Sequence, residues 1–598
     1  MMTDTGFNYI EGRFADIMML RYRLDNFDKL SLRQKKLVYC LSQAALFGRD
    51  ITFDQFGKYN LKIRKTLEAV YTSYEGARDS ADFKAFEEYL KRVWFSSGIY
   101  HHYGCDKFLP GFTEGFFVNA VKSVDAGMLP LEQGQSVKGL CDELLPVMFN
   151  PSVLPVKVCK KDGTDLVVSS ACNFYDGVNQ QEVEDYYSSV KDMSDEEPVS
   201  YGLNSTVIKT EDAVHEEVWR VGGKYDKAIR KIVFWLEKAL NFVENERQEN
   251  IIELLVKYYK SGDLRVFNEY CIEWVSDSAS LIDFINGFIE VYDDPLGMKG
   301  TWEGLVEYRD MEGTRRTQVI SANAQWFEDH SPVDPRFKKE KVNGVSANVI
   351  CAAMLGGGEY PSTAIGINLP NADWIRARHG SKSVTISNII NAYNEAARGN
   401  GFDDEFVIDD ATKSLLREYG DICDIIHTDL HECLGHGSGQ SLPGVDPDAL
   451  KAYGNTIEEA RADLFGLYYV ADEKMLELGL LPDKDAYKAG YYSYIMNGLL
   501  TQLARIKRGN EIEEAHMRDR ALIARWCYEH GREDNVIELV RISGKTYVRI
   551  NDYVKLRGLF GQLLAEVQRI KSEGLPGLGF RQIEIGTAAL CQQCLIVV

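Results

Sequence analysis

Two histidines and a glutamate fall within six residues, in the run His431-Glu432-Cys433-Leu434-Gly435-His436. Imidazoles and carboxylates this close on one element are typical zinc ligands, and a carboxylate between them is placed to take a proton from a water beside the metal. The familiar form of this motif sets its histidines four residues apart, so that both rings leave one helical face. Here they are five apart. At about 100° per residue, five steps leave the rings roughly 140° apart, against roughly 40° for four. A regular helix would keep them from sharing a metal. A single π turn absorbs one extra residue, and Gly435 is a low-cost place for it, so an i→i+5 distortion is expected here. The competing reading is two unrelated helix histidines.

Zinc on two imidazoles needs a third protein ligand and an open position. Glu459 is the candidate, in Glu458-Glu459-Ala460-Arg461-Ala462-Asp463, which opens a helix after the loop 441–448. A capping box competes for it: Thr456 stands three residues earlier, and Glu459 would then only satisfy a helix-terminal amide.

The histidine pair ends a helical pattern over 411–436, with Leu415, Leu416, Ile422, Ile425 and Ile426 at apolar spacing. Gly399-Asn400-Gly401 before it marks a boundary near 398. Upstream, 10–100 and 211–291 read as helical. Residues 153–175 read as a hairpin about Lys161-Asp162-Gly163-Thr164, and 317–322, 345–350 and 362–369 as short strands. The fold class is α+β with helices dominant.

At 598 residues the chain is too long for one core, and two lobes are expected. Asp and Glu outnumber Lys and Arg by 90 to 68, a net charge of −22, which disfavours nucleic acid and anionic membranes and weakly favours cationic ligands such as peptide amino termini. Acidic residues interrupt the first 21 residues, so no signal peptide is readable. With twelve scattered cysteines, a cytoplasmic location is expected.

The two acidic-histidine runs together resemble the dipeptidyl peptidase III family, with its His-Glu-x-x-Gly-His followed by Glu-Glu-x-Arg-Ala-Glu/Asp. The resemblance implies one zinc on His431, His436 and Glu459, with Glu432 as general base and Glu458 and Asp463 orienting the histidines. Read alone, the last two are also helix-start acids favoured by the dipole. It extends to Ile289-Glu290-Val291-Tyr292-Asp293-Asp294-Pro295, Thr301-Trp302-Glu303-Gly304 and Gly366-Ile367-Asn368-Leu369-Pro370-Asn371. There it implies that Glu290, Glu303, Asn368 and Asn371 grip the substrate ammonium while Tyr292 donates to the oxyanion. Without it, the asparagines are turn residues around Pro370 and Glu303 is a surface acid. In Ala515-His516-Met517-Arg518-Asp519-Arg520 it makes His516 a second transition-state donor and Arg520 a substrate contact.

The implied fold is two lobes about a wide cleft. Residues 1–311 and 351–397 would form a lower lobe with a β-core plus helices, binding the substrate's amino end. Residues 312–350 and 398–574 would form the upper, mostly helical zinc lobe. From 575 to 598 the sequence departs from the family, and an atypical, poorly packed tail is expected. The implied activity is release of dipeptides from the free amino end of short peptides by a monomer. The alternatives are an aminopeptidase or endopeptidase of different register, or a zinc- and peptide-binding protein with little turnover.

Overall fold

The computed structural model describes residues 7–575 except 103, 160, 162, 193, 212, 343–346, 362, 446–449, 451–453 and 506–514. Apart from Leu575, the expected tail lies outside the described residues. Contacts divide the chain into two units, Met1–Asp310 with Ile350–Ala392, and Met311–Val349 with Tyr393–Val598.

The first unit is built on a five-stranded sheet. Its order is Ile282–Phe288, Trp302–Arg309, Ala347–Gly357, Lys382–Ile386, Gly366–Leu369. Seven successive residues from Trp302 to Tyr308 are buried, as in a strand covered on both faces. The helix Leu32–Phe47 packs there because Gly304 lacks a side chain: a Cβ would stand 3.1 Å from that of Ala45. Tyr259, on the helix Glu246–Ser261, accepts from Trp302 Nε1 (3.1 Å) and donates to Asn286 Oδ1 (2.6 Å), which seats that helix on the sheet. A separate helical core joins Asn60–Ser73, Ala81–Phe95, Glu114–Ser123 and Val137–Phe149; Ser80, Thr113 and Ser136 cap the last three by accepting from backbone amides.

The fold departs from the sequence reading in four places. The segment 211–291, read as helical throughout, begins and ends with the strands Val214–Val218 and Ile282–Phe288, the second buried along most of its length so that it shows no alternation. Residues 10–20, read as helical, form the paired strands Ile10–Phe14 and Ile17–Leu20, reversing at Ala15 with φ 49°. Among the described residues the expected hairpin over 153–175 forms no strand pair: Val156 makes an isolated bridge to Asp106 and accepts from Ala171 N at 3.1 Å. The Asp165 carboxylate takes the amides of Val168 (2.9 Å) and Gln180 (3.1 Å), drawing the second run into a turn. Residues 317–322 lie in the helix Met311–Ala322, where Thr317 and Ile320, one turn apart, bury the same face; packing overrides β-branched propensity.

The second unit has one core, dominated by helices. The long helix Asp410–Leu430 is capped by Asp409, whose side chain accepts from Thr412 N at 2.8 Å. It buries Cys423, Ile426 and Leu430 against Gly454–Val470 and Tyr487–Leu499. Ala515–His530 and Tyr553–Glu573 complete the bundle. Among the described residues the cysteines are free thiols, and no helix is long and apolar enough to cross a membrane.

Candidate metal centre

The long helix changes pitch where the histidine spacing requires it. His431–Gly435 is a π turn closed by His436 N donating to His431 O at 3.1 Å. The two imidazole centroids stand 4.7 Å apart with their planes at 85°, so the extra residue has been absorbed and the rings meet edge to face. Gly435 is required by close approach: a Cβ there would lie 2.7 Å from Cα of Ala462 on the neighbouring helix. Gly435→Ala is expected to destabilise the metal-free protein by about 1–3 kcal/mol, because overlap with backbone outweighs the gain of about 1 kcal/mol in helix propensity. Urea unfolding measures this, and an unchanged midpoint would mean that the two helices separate freely.

Glu459 lies five residues inside the helix Gly454–Val470, so its side chain does not cap that helix and the capping-box reading falls. Its Oε2 stands 3.2 Å from Nε2 of His431, 3.9 Å from Nε2 of His436 and 3.5 Å from Nε2 of His516. That oxygen is buried and makes no hydrogen bond of good geometry. A buried anionic oxygen left orphaned among three imidazole nitrogens fits a cation coordinated there.

Both histidines are turned the same way from behind. His431 Nδ1 donates to Asp463 Oδ1 at 2.7 Å, and His436 Nδ1 to Glu458 Oε1 at 2.9 Å. An ionised carboxylate can only accept, so each ring presents Nε2 as its ligand atom. Burial alone would push the carboxyls of Glu458 and Asp463 up. Arg461 and His436 for the first, and His431, His427 and Arg520 for the second, more than reverse this, holding both well below the usual range. Burial opposes the charged form of His431, but Asp463 and Glu459 outweigh it and raise the ring to about 10.

Ligand atoms of His431, Glu432 and His436 also lie within 4.8 Å of one another, so the site offers two carboxylates. Glu459 has the orphaned oxygen, which favours it as the ligand and leaves Glu432 beside the site.

Some supports were given no role in the sequence reading. Arg461 is fully buried and grips Glu458 through Nε (3.1 Å) and Nη2 (2.6 Å), while its Nη1 donates to Ser438 Oγ at 2.8 Å. Lys571, at the end of the helix Tyr553–Glu573, pairs with Glu458 as well. Next to it, Ser572 Oγ donates to Gln440 O (2.6 Å) and Leu442 N to Ser572 O (2.9 Å), clamping the segment after the histidine motif. Tyr494 donates to the second oxygen of Asp463 at 2.7 Å. Arg520 lies where its charge favours the ionised forms of Asp424, Asp463 and Asp519.

The first unit gathers a second set of groups. Asn371 Nδ2 donates to Glu290 Oε2 at 3.0 Å, and Glu290 N to Glu303 Oε1 at 3.2 Å. Glu303 is buried, not a surface acid. Asn368 is exposed on its edge strand, with its carbonyl accepting from Arg376. Tyr292 is 73% exposed; Glu290, then burial and Glu303, push its phenol up, so it keeps the proton a donor needs. Glu359, overlooked in the sequence, joins this set. Burial and then Glu290 raise its carboxyl to about 7 despite a hydrogen bond with Glu303.

Two imidazoles and a carboxylate around one point, with a second carboxylate beside them, are a donor set that metallopeptidases use. The model of peptidase family M49 matches residues 178–451. Dipeptidyl peptidase 3 of Homo sapiens is 24% identical over 624 residues, covering 92% of this chain and 83% of that protein. The Dictyostelium discoideum dipeptidyl peptidase 3 is 30% identical over 315 residues, covering 46% of this chain and 43% of that protein. The solved structure of DPP III from Caldithrix abyssi superposes with TM-score 0.71 at 19% identity, over 95% of this chain and 94% of that one, a likeness of fold. Over residues 178–451 the chain is thus similar to peptidase family M49, and the relatives it matches over most of its length are dipeptidyl peptidases 3.

Proposed function

We propose that this protein releases dipeptides from the free amino end of short peptides, with one zinc per chain held by His431, His436 and Glu459. The observation that carries this reading is the orphaned Glu459 oxygen facing imidazole nitrogens whose far sides are fixed by Asp463 and Glu458. Zinc bound there would supply Lewis-acid polarisation and a more acidic water. Glu432 takes the proton of the attacking water and returns it to the leaving amine. Tyr292 and His516 donate to the developing oxyanion, and Arg520 contacts the peptide.

Glu290, Glu303, Asn368 and Asn371 hold the ammonium. Burial, then Glu359 and Glu290, hold the Glu303 carboxyl well above the usual range, so it is neutral without substrate and releases its proton to solvent when an ammonium arrives to favour the charged form. Fixing the ammonium fixes which peptide bond is cut. Residues 1–311 and 351–397 thus serve the amino end and supply Tyr292 to the oxyanion, and 312–350 and 398–574 supply the metal ligands and Glu432.

Mass spectrometry of products from unmodified and amino-acetylated short peptides tests the reading. Dipeptides alone are expected, with none from the acetylated peptides. Cleavage that tolerates acetylation would point to an endopeptidase, single amino acids to an aminopeptidase, and binding without products to a protein that holds peptides but does not cut them.

A further inference from the structure

Ile289 and Val291 flank Glu290 in an extended run whose register is fixed by Ile289 N donating to Thr301 O (3.0 Å) and Thr301 N to Glu290 O (2.8 Å). Successive side chains of an extended chain leave on opposite faces, so Ile289 and Val291 point away from the side on which Glu290 meets Asn371. On that reverse side both line a cavity of about 370 Å³. Its facing wall is the helix Leu264–Ser276, through Phe267, Tyr270, Cys271 and Trp274. Pro370 and Asn371 line it as well, and Asn371 belongs to both sides: it lines the cavity and donates to Glu290.

The chemistry of the walls limits the occupant. An apolar cavity of about 150 Å³ accepts one benzene ring, and this one is more than twice that volume, enough for two fused rings. Burial raises the Cys271 thiol to about 12, so it stays protonated and counts as apolar wall. Lys191 lines the cavity too and is exposed. Among the described residues no carboxylate pairs with it, and its Nζ lies 5.9 Å from the Tyr187 ring centre. An apolar, aromatic-walled chamber with one uncommitted ammonium suits a flat anion.

We infer that this cavity binds a two-ring aromatic anion, its rings between the Leu264–Ser276 helix and Ile289, its charge at Lys191, and that the occupant tightens peptide binding by propping Ile289, Val291 and Asn371 from behind. The coupling rests on the reading of Glu290 and Asn371 as ammonium anchors; the site itself does not. Without an occupant, nothing fills the space behind Glu290 and the segment can relax inward; with one, the Asn371–Glu290 pair is held in place.

The test is calorimetric titration of the whole protein with 2-naphthoate and with its neutral counterpart 2-naphthylmethanol. One naphthoate per chain is expected. Lys191→Ala, at an exposed position, should weaken naphthoate about fivefold, the size of an exposed ion pair, and leave the alcohol unchanged. Cys271→Phe should fill the chamber and abolish both. No binding by the unaltered protein, or naphthoate binding indifferent to Lys191→Ala, would overturn the site whether or not Cys271→Phe folds. Saturating naphthoate should lower KM for a short peptide without changing kcat. An unchanged or raised KM would overturn the coupling. Should the protein release no dipeptides, the same coupling is read as tighter binding of the uncleaved peptide, so failure of the proposed activity and failure of this site remain distinguishable.

Discussion

Glu432→Ala is expected to leave bound metal nearly intact while lowering turnover by a factor on the order of 10² to 10⁴, the usual contribution of a positioned general base, equivalent to about 3–5 kcal/mol of barrier. The two outcomes separate because Glu432 is next to a ligand in sequence without being the carboxylate whose oxygen is orphaned among the imidazoles. Peptide affinity should change far less, since Glu290, Glu303, Asn368 and Asn371 act on the bound ground state as well as the transition state. Elemental analysis, peptide binding and dipeptide release measured on one preparation decide the matter. Near-normal turnover would refute the proton-transfer role; lost metal would make Glu432 a ligand.

The second large effect is on the metal itself. Glu459→Ala should cost more metal affinity than the roughly 10- to 100-fold typical of removing an outer hydrogen-bond partner, and activity should vanish with it. Helix content should hold, because the helix Gly454–Val470 starts five residues before Glu459 and does not use it as a cap. Stoichiometric metal in the purified variant would sink the assignment. The raised His431 sets the sign of the pH effect: the metal-free ring carries a proton that metal must displace, so the metal is stripped more readily as pH falls.

The local geometry of the candidate metal centre was legible in the sequence because it depends on local spacing. The five-residue interval between His431 and His436 demanded an extra residue in one turn, and the structure has that π turn. Gly435 was noted for its tolerance of distortion, but its role is to let the Ala462 backbone approach, a fact about another helix that no spacing along this one contains. Arg461 was in plain view within the acidic run, yet an arginine among glutamates reads as a surface pair; only the fold makes it fully buried. Tyr494 and Lys571 reach the centre from elements remote in sequence.

The α+β class and the helical character around the histidines were readable from periodicity. The strand Trp302–Arg309 was missed because both faces are buried and alternation, the usual strand signal, disappears. The same burial hid Glu303, and Glu359 follows a run of three glycines that carries no pattern at all.

The clamp made by Lys571 and Ser572 bears on how the protein is made. During synthesis His431 and His436 leave the ribosome well before the turn that fixes Glu458 and the segment behind them. Lys571 follows His436 by 571 − 436 = 135 residues. At the usual 5–20 residues per second, that interval lasts roughly 7–27 s. For that time the nascent chain displays both imidazoles and, from early in it, Glu459, without the helix that holds their supports. Metal captured then meets a pliable set of donors, and metal captured afterwards meets a finished one. On the reading that these residues hold metal, the donor set has all its supports only once the helix Tyr553–Glu573 has docked.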